Sequence, residues 1–295
     1  MRVIFKLIRT SGIPWIIREV FQRNRVTILL FHDISPKAAE KSFAYLKERY
    51  NVIGLQEYLK ARKDPSCHKL PPKSLIVTFD DGHKQNYELL PLLKRLEFPI
   101  TIFLCSSIIG TGRGFWFLQP NLSKPVGHYK KLTNQERLIE LERSGFKQEQ
   151  DMKEREALNK KEIEEMKELV DFQSHTMFHP CLPKCNPQEA KVEIEGSKHQ
   201  LEKDFGLTIN TLSYPNGDYS DRDLSLTRSS GYTFGITVDT GFNTLSTDPL
   251  LLKRISVNDT GDINQLAVKA SGIWSFFKNR VFGRQSYGYS KTSTE

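Results

Sequence analysis

Short apolar runs alternate along the chain with stretches whose apolar residues recur every three or four positions. Residues 26–32, 74–79 and 100–104 are continuous, β-branched runs, the signature of strands buried on both faces. Between them, residues 36–49 and 55–61 carry helical periodicity, with a brief strand expected at 51–53. After residue 82, Tyr87, Leu90, Leu93, Leu96 and Phe98 fall roughly on one stripe of a helix. The alternation resumes with strands at 170–173, 210–214, 233–238 and 250–257, helices at 187–204 and 221–229, and a closing amphipathic helix at 263–277. Strands alternating with helices predict an α/β fold with a mostly parallel sheet and helical crossovers.

Two stretches break the rhythm. Residues 110–168 are highly charged and helix-prone, with Glu136, Arg137, Glu140, Arg143, Glu162, Glu165 and Lys167 reading as solvated helix faces. With few large apolar residues, this stretch is expected to be an insertion above a barrel rather than a domain. Near its start, Phe115, Trp116 and Phe117 would either line a sugar subsite or anchor the insertion to the core. Residues 1–25 interleave Arg2, Lys6, Arg9, Arg18, Arg23 and Arg25 with apolar side chains. Those charges interrupt the apolar run a secretory signal needs. The segment reads either as a basic amphipathic helix on a membrane surface or as a helix packed on the domain, with Gly12 and Pro14 breaking it. The expected organisation is a barrel over 26–260, the closing helix over 261–285 and a polar, disordered tail at 286–295.

The 295 residues suffice for one large α/β domain. A formal net charge of +8 suits an anionic partner without choosing one. No zinc-finger spacing, RNA-binding aromatic signature or long basic tract is present, so no nucleic-acid partner is expected. Four cysteines in a chain this long do not make a disulfide scaffold, and Cys105, in an apolar run, is expected to be a buried thiol. No apolar run is long enough to span a bilayer. Together with the missing signal, this points to the cytoplasm, at or near the membrane face.

Three segments carry chemistry. Thr78-Phe79-Asp80-Asp81-Gly82 ends a buried strand with two acids, costly unless a cation or another partner compensates them. His175-Thr176-Met177-Phe178-His179 spaces two histidines by four, which would place them on one face of a helical turn as paired metal ligands. Two histidines and a carboxylate would leave room for water, as a catalytic rather than a structural site does. Cys181 and Cys185 offer a rival, closing the sphere with His175 and His179. Ser213-Tyr214-Pro215-Asn216-Gly217 reads as a tight turn able to aim a backbone N–H at a developing oxyanion.

Taken together, and in this order, the three segments resemble the NodB-homology polysaccharide deacetylases over residues 26–257. The family fold is a distorted, incomplete (β/α) barrel. The resemblance implies Asp80 as general base, Asp81, His175 and His179 as ligands of a divalent metal ion with zinc as the default, and the Asn216 N–H at the oxyanion. Tyr214 and Pro215 would border the substrate. The family's late Leu-x-His motif is absent, but Leu30-Phe31-His32 ends the first strand, as in the circularly permuted poly-N-acetylglucosamine deacetylases. That makes His32 the expected general acid. Ser213 stands where the family often has the arginine that orients the base, and Arg254 is a candidate substitute. The fourth motif is not clear, with Asp239 a possible remnant. The expected activity is removal of N-acetyl from a sugar or glycan, lipid-linked glycans included. Deformylation of an amino sugar and non-catalytic glycan binding are the alternatives.

Overall fold

The computed structural model describes residues 2–274. A helical pair opens the chain, α1 (Arg2–Thr10) and α2 (Ile13–Ile16). The barrel then runs β1 (Thr27–Phe31), α3 (Pro36–Arg49), β2 (Asn51–Val52), α4 (Leu55–Lys63), β3 (Ser74–Phe79), α5 (Leu90–Leu96) and β4 (Ile100–Leu104). Three short helices follow, α6 (Val126–Tyr129), α7 (Asn134–Arg143) and α8 (Lys160–Met166). Next come β5 (Val170–Ser174), α9 (Pro187–Lys191), α10 (Ser197–Phe205), β6 (Thr211–Ser213), α11 (Asp221–Ser229), β7 (Phe234–Ile236), β8 (Ile255–Ser256) and α12 (Ile263–Ala270). The expected closing helix extends past the described residues, and the expected tail lies outside them.

The strands form one parallel sheet in the order β7-β6-β5-β4-β3-β1-β8, with β2 paired to β3 off this path. The fold is a distorted, incomplete (β/α) barrel, as the family resemblance implies, and the alternation of runs and periodic stretches accounts for its parallel sheet and helical crossovers. Strands β1, β3 and β4 are buried along their whole length, because helices cover one face and barrel side chains fill the other.

Distortion concentrates where the sheet would close. The expected strand at 250–257 is reduced to Ile255–Ser256 on β1. Three residues before Ile255 the same segment sits on the opposite edge, with Leu252 bridging Ile236 of β7. The Leu252 N–H bonds the Gly235 carbonyl and the Val257 N–H the Leu30 carbonyl. One segment therefore changes strand partner midway, and Arg254 lies at the seam between them.

The stretch after β4 differs from its expected solvated character. Trp116, Tyr129, Leu141 and Phe146 make a small core of their own. Arg137 is 2% exposed, its guanidinium 4.8 Å from the Trp116 ring. Thr133 and Asn159 close capping boxes on α7 and α8, with Glu136 and Glu162 bonding back. Cys105 is buried, as its apolar run predicts.

Candidate active site

The chemistry-bearing residues meet at the carboxyl ends of the strands, where sites form in β/α folds. Among the described residues, six non-glycine positions have positive φ, and four of them are Asp81 (72°), Thr176 (67°), His179 (55°) and Asn216 (58°). Such conformations are held against an intrinsic cost and cluster at functional sites.

At the end of β3, Asp81 and Gly82 are both left-handed, and the Gly82 N–H bonds the Asp80 carbonyl at 2.9 Å. A Cβ on Gly82 would stand 2.6 Å from Leu104 Cδ2, so the turn requires glycine. This reversal sends the two acids to different partners. Asp80 accepts a fork from Arg254, Nη1 to Oδ1 at 2.7 Å and Nη2 to Oδ2 at 2.9 Å. The same guanidinium donates to Ser213 Oγ at 3.0 Å and, through Nε, to the Thr237 carbonyl at 2.9 Å. Asp81 turns instead toward the histidines, with Oδ1 3.6 Å from both His175 Nε2 and His179 Nε2.

The histidine pair is close for a reason other than the expected helical turn. Residues 175–179 form no helix. Left-handed backbone at Thr176 and His179 folds the segment into an irregular loop, and the ring centroids come within 4.8 Å. The loop's polar backbone is satisfied from several directions, as burial demands. Glu193 Oε2 accepts the N–H groups of Met177 and Phe178 at 2.8 and 2.9 Å, and Ser106 and Ser107 donate to the carbonyls of Thr176 and Met177. The Trp116 indole donates to the His179 carbonyl at 2.9 Å, with Arg137 Nη1 at 3.5 Å.

Asp81, His175 and His179 offer donor atoms that all lie within 4.8 Å of one another. Donors about 2.1 Å from one tetrahedral ion stand roughly 3.4 Å apart, near the observed 3.6 Å. Asp81 Oδ1 is buried with no hydrogen-bond partner, a costly state that a cation relieves. The Ser213 carbonyl, 2.8 Å from His175 Nδ1, requires the proton there and leaves a lone pair on Nε2, as metal-bound histidines are commonly arranged. Burial pushes the His179 imidazole down to about 3, so it stays neutral. The residues present fit a divalent ion.

Burial would raise both carboxyls. For Asp80 the Arg254 charge, then His175, outweighs it and holds the group below the ordinary carboxylate range. For Asp81 the bond from His83 and the charges of His179 and His175 do the same more strongly.

A cavity of about 290 Å³ opens over these groups, lined among others by His32, Asp80, Asp81, His175, His179 and Asn216. His32 is exposed at its edge, its N–H 3.3 Å from Asp259 Oδ1 and its carbonyl bonded by Asn86. Asn216 reaches the cavity because Gly217 (φ 77°) packs where a Cβ would meet Val238 Cγ2 at 2.2 Å. A family model described as polysaccharide deacetylase matches residues 68–235, more than half of the chain. The chain belongs to the polysaccharide deacetylase family.

The match leaves out β1 with His32 and the seam with Arg254, in keeping with a permuted member of that family. The chain is 26% identical over 218 residues to the poly-beta-1,6-N-acetyl-D-glucosamine N-deacetylase of Staphylococcus epidermidis, covering 70% of this chain and 61% of that one. Among solved structures, the Streptococcus pyogenes deacetylase PplD, in complex with acetate, superposes with a TM-score of 0.60 at 20% identity, covering 83% of this chain and 99% of that one. IcaB from Ammonifex degensii gives 0.59 at 18% identity, covering 85% and 98%. At these identities the structural likeness speaks for the fold.

Within this polysaccharide deacetylase the other expected residues are placed as follows. Trp116 is buried and holds the His179 carbonyl, the anchoring role of its two expectations, while its neighbour Phe117 lines the cavity, its ring 4.7 Å from that of His179. Tyr214 and Pro215 are buried beneath the turn, and neither is among the lining residues. Arg254 is 1% exposed and acts on Asp80 from behind. Asp239 bonds Tyr219 at 3.4 Å and gives its backbone carbonyl to the Arg254 N–H. Cys181 takes a 3.5 Å contact from Asn216 Nδ2, and neither it nor Cys185 joins the donor cluster.

Several residues were not foreseen. His83 Nε2 lies 3.2 Å from Asp81 Oδ2. Burial opposes its protonation, but the Asp81 bond and charge raise its pKa overall. Its adjacency to Asp80-Asp81-Gly82 was the one available signal. Lys130 and Val126, which line the cavity from the insertion, and Glu193, 14 residues after His179, had none.

Proposed function

We propose that this family member is a metal-dependent N-deacetylase of an N-acetylated glycan, with Asp81, His175 and His179 holding one divalent ion. The observation that carries the reading is the unpartnered Asp81 Oδ1 facing two Nε2 atoms at 3.6 Å, beside an acid kept ionised by a forked arginine. Zinc suits two imidazoles and a carboxylate. Bound there, it would polarise the acetamide carbonyl and make water a better nucleophile at neutral pH.

The protein's own groups do the rest. Asp80, ionised and aimed by Arg254 and Ser213, takes a proton from the attacking water. The Asn216 N–H, fixed by the left-handed turn, bonds the developing oxyanion. His32 lines the same cavity as Asp80, and hands a proton to the departing amine. Leu30, Phe117, Val126 and Val238 give an apolar wall for the sugar ring and acetyl methyl. The C–N bond breaks, releasing acetate and a free amino sugar.

The test is acetate release from oligomers of N-acetylglucosamine by the zinc-loaded protein, with N-formyl oligomers in parallel. Preferential formate release would move the assignment to a deformylase. Stoichiometric zinc binding with no turnover of either would leave a glycan-binding protein. An intact Asp80–Arg254 pair supports catalysis, since a binding protein has no need of an oriented base.

A further inference from the structure

We propose that the helical pair at the start of the chain is a docking surface for an anionic lipid bilayer, independent of the chemistry in the cavity. Of the large apolar side chains exposed among the described residues, most lie in this one segment: Val3, Ile4, Leu7, Ile13, Trp15, Ile16, Val20 and Phe21. Apolar exposure concentrated in one segment, from Val3 to Phe21, marks an interaction site.

The segment is fastened to the barrel and does not behave as a loose tail. Phe5 packs with Val268 and Ile273 of the α12 region, its ring 4.7 Å from that of Trp274. Buried Gln22 donates to Thr27 Oγ1 and to the Ala270 carbonyl. At 100° per residue, the inward Phe5 puts Val3 and Leu7 on the outward face of α1, with Lys6 and Ile4 flanking it. Val3 and Leu7 are 69% and 64% exposed accordingly, and Trp15 is 57% exposed. The apolar face is already aimed outward, with little ordering left to do on binding.

Charge selects the occupant. The segment exposes Arg2, Lys6, Arg9, Arg23 and Arg25, and its single acid, Glu19, is tied to Lys73 and to buried Arg18. A second copy would set the same cations against each other. Residues 275–295 of this chain carry Lys278, Arg280, Arg284 and Lys291 against Glu295, so they too have the wrong sign. Exposed apolar side chains including Trp15, with exposed Lys and Arg in the same segment, suit the headgroup boundary of an anionic leaflet.

The experiment is co-sedimentation of the full chain with vesicles of phosphatidylcholine alone or with about one quarter phosphatidylglycerol. The protein should pellet with the anionic vesicles and lose at least about tenfold in partitioning on raising salt to about 0.5 M. Tryptophan emission should shift to the blue on binding, and Trp15→Phe should remove that shift, because Trp116 is buried and Trp274 packs on Phe5. Leu7→Ser with Trp15→Ser should cut partitioning by at least about tenfold with unchanged circular dichroism and melting, since both sites are exposed. Wild-type protein that stays in the supernatant at low salt, or a double variant that pellets like wild type, overturns the proposal. So does a wild-type dimer in sedimentation equilibrium that the double variant dissociates, which would make the face a contact between copies.

Discussion

Replacing Arg254 by methionine tests whether Asp80 owes its charge to the seam of the barrel. The guanidinium makes four bonds, two to Asp80, one to Ser213 Oγ and one to the Thr237 carbonyl. Methionine keeps much of the stem and removes all four. Breaking a buried ion pair by deleting one partner costs about 3–5 kcal/mol, a large part of the roughly 5–15 kcal/mol that holds a domain folded. The variant should be folded at low temperature and melt well below wild type. The pH dependence fixes the cause. In wild type the folded Asp80 pKa is lowered, so its contribution is in force above the unfolded value of about 3.9 and is lost as pH falls through the folded value. In Arg254→Met the largest influence opposing burial is gone, and burial pushes the pKa up against the weaker charge of His175. The stability gap between the two proteins should therefore be small near pH 3 and widen as pH rises.

Activity follows the same sign. Burial without the guanidinium pushes the Asp80 carboxyl up and lowers its ionised fraction at neutral pH. A bound divalent ion resists part of that shift, so kcat/KM at pH 7 should fall at least about tenfold. The acid limb of the pH profile should move up toward neutrality, and activity should partly return on the alkaline side. Arg254→Lys keeps a charge without the planar fork and should fall between. An Arg254→Met protein with a wild-type acid limb and kcat/KM within about threefold of wild type at pH 7 would refute the proposed role of the pair.

Other outcomes follow from the site. Asp80→Asn should lower turnover by about 100-fold or more while zinc content by atomic emission stays near that of wild type; His179→Ala should lower zinc content itself. Glu193→Ala strips the acceptor from two buried N–H groups of the histidine loop and should weaken zinc about 10–100-fold in a chelator competition, though Glu193 is absent from the cavity lining. Asp218, beside the Asn216 turn, has its pKa raised to about 6 by burial. A raised carboxyl pKa means stability is lost as pH climbs from about 3.9 to about 6, so Asp218→Asn should gain about 1 kcal/mol in urea denaturation at pH 8, after allowance for solvent, and nothing at pH 3.

The parallel strands were legible because burial on both faces leaves continuous β-branched runs, and β1, β3 and β4 fall within a residue or so of their expected ends. The seam was not. A segment that leaves β7 at Leu252 and joins β1 at Ile255 is apolar for two different neighbours, and its pattern cannot say where it changes allegiance. The histidine pair shows a subtler gap. Spacing by four suggested proximity through a helical turn; the proximity is there, produced by two left-handed residues that hydrophobic patterning does not register. Arg137 reads as a solvated charge by every local rule, and only the ring of Trp116 and the His179 carbonyl, 42 residues away, explain its burial.

The displaced arginine joins these cases. With Ser213 at the motif position, β6 supplies only a hydroxyl, 3.4 Å from Asp80 Oδ1, and a carbonyl that fixes the His175 tautomer. The cation arrives instead from the segment that closes the barrel, and it bonds the same hydroxyl. What the proposed mechanism requires is a fork behind Asp80, and any strand end ringing the cavity can deliver it. Because Arg254 sits where the sheet changes partner, closing the barrel and holding Asp80 ionised are one structural event. A substitution that shifts the seam, such as Gly235→Ala, whose Cβ would stand 2.5 Å from the Leu250 carbonyl, should carry the acid limb of the pH profile upward together with the loss of stability, though it touches neither Asp80 nor the cavity.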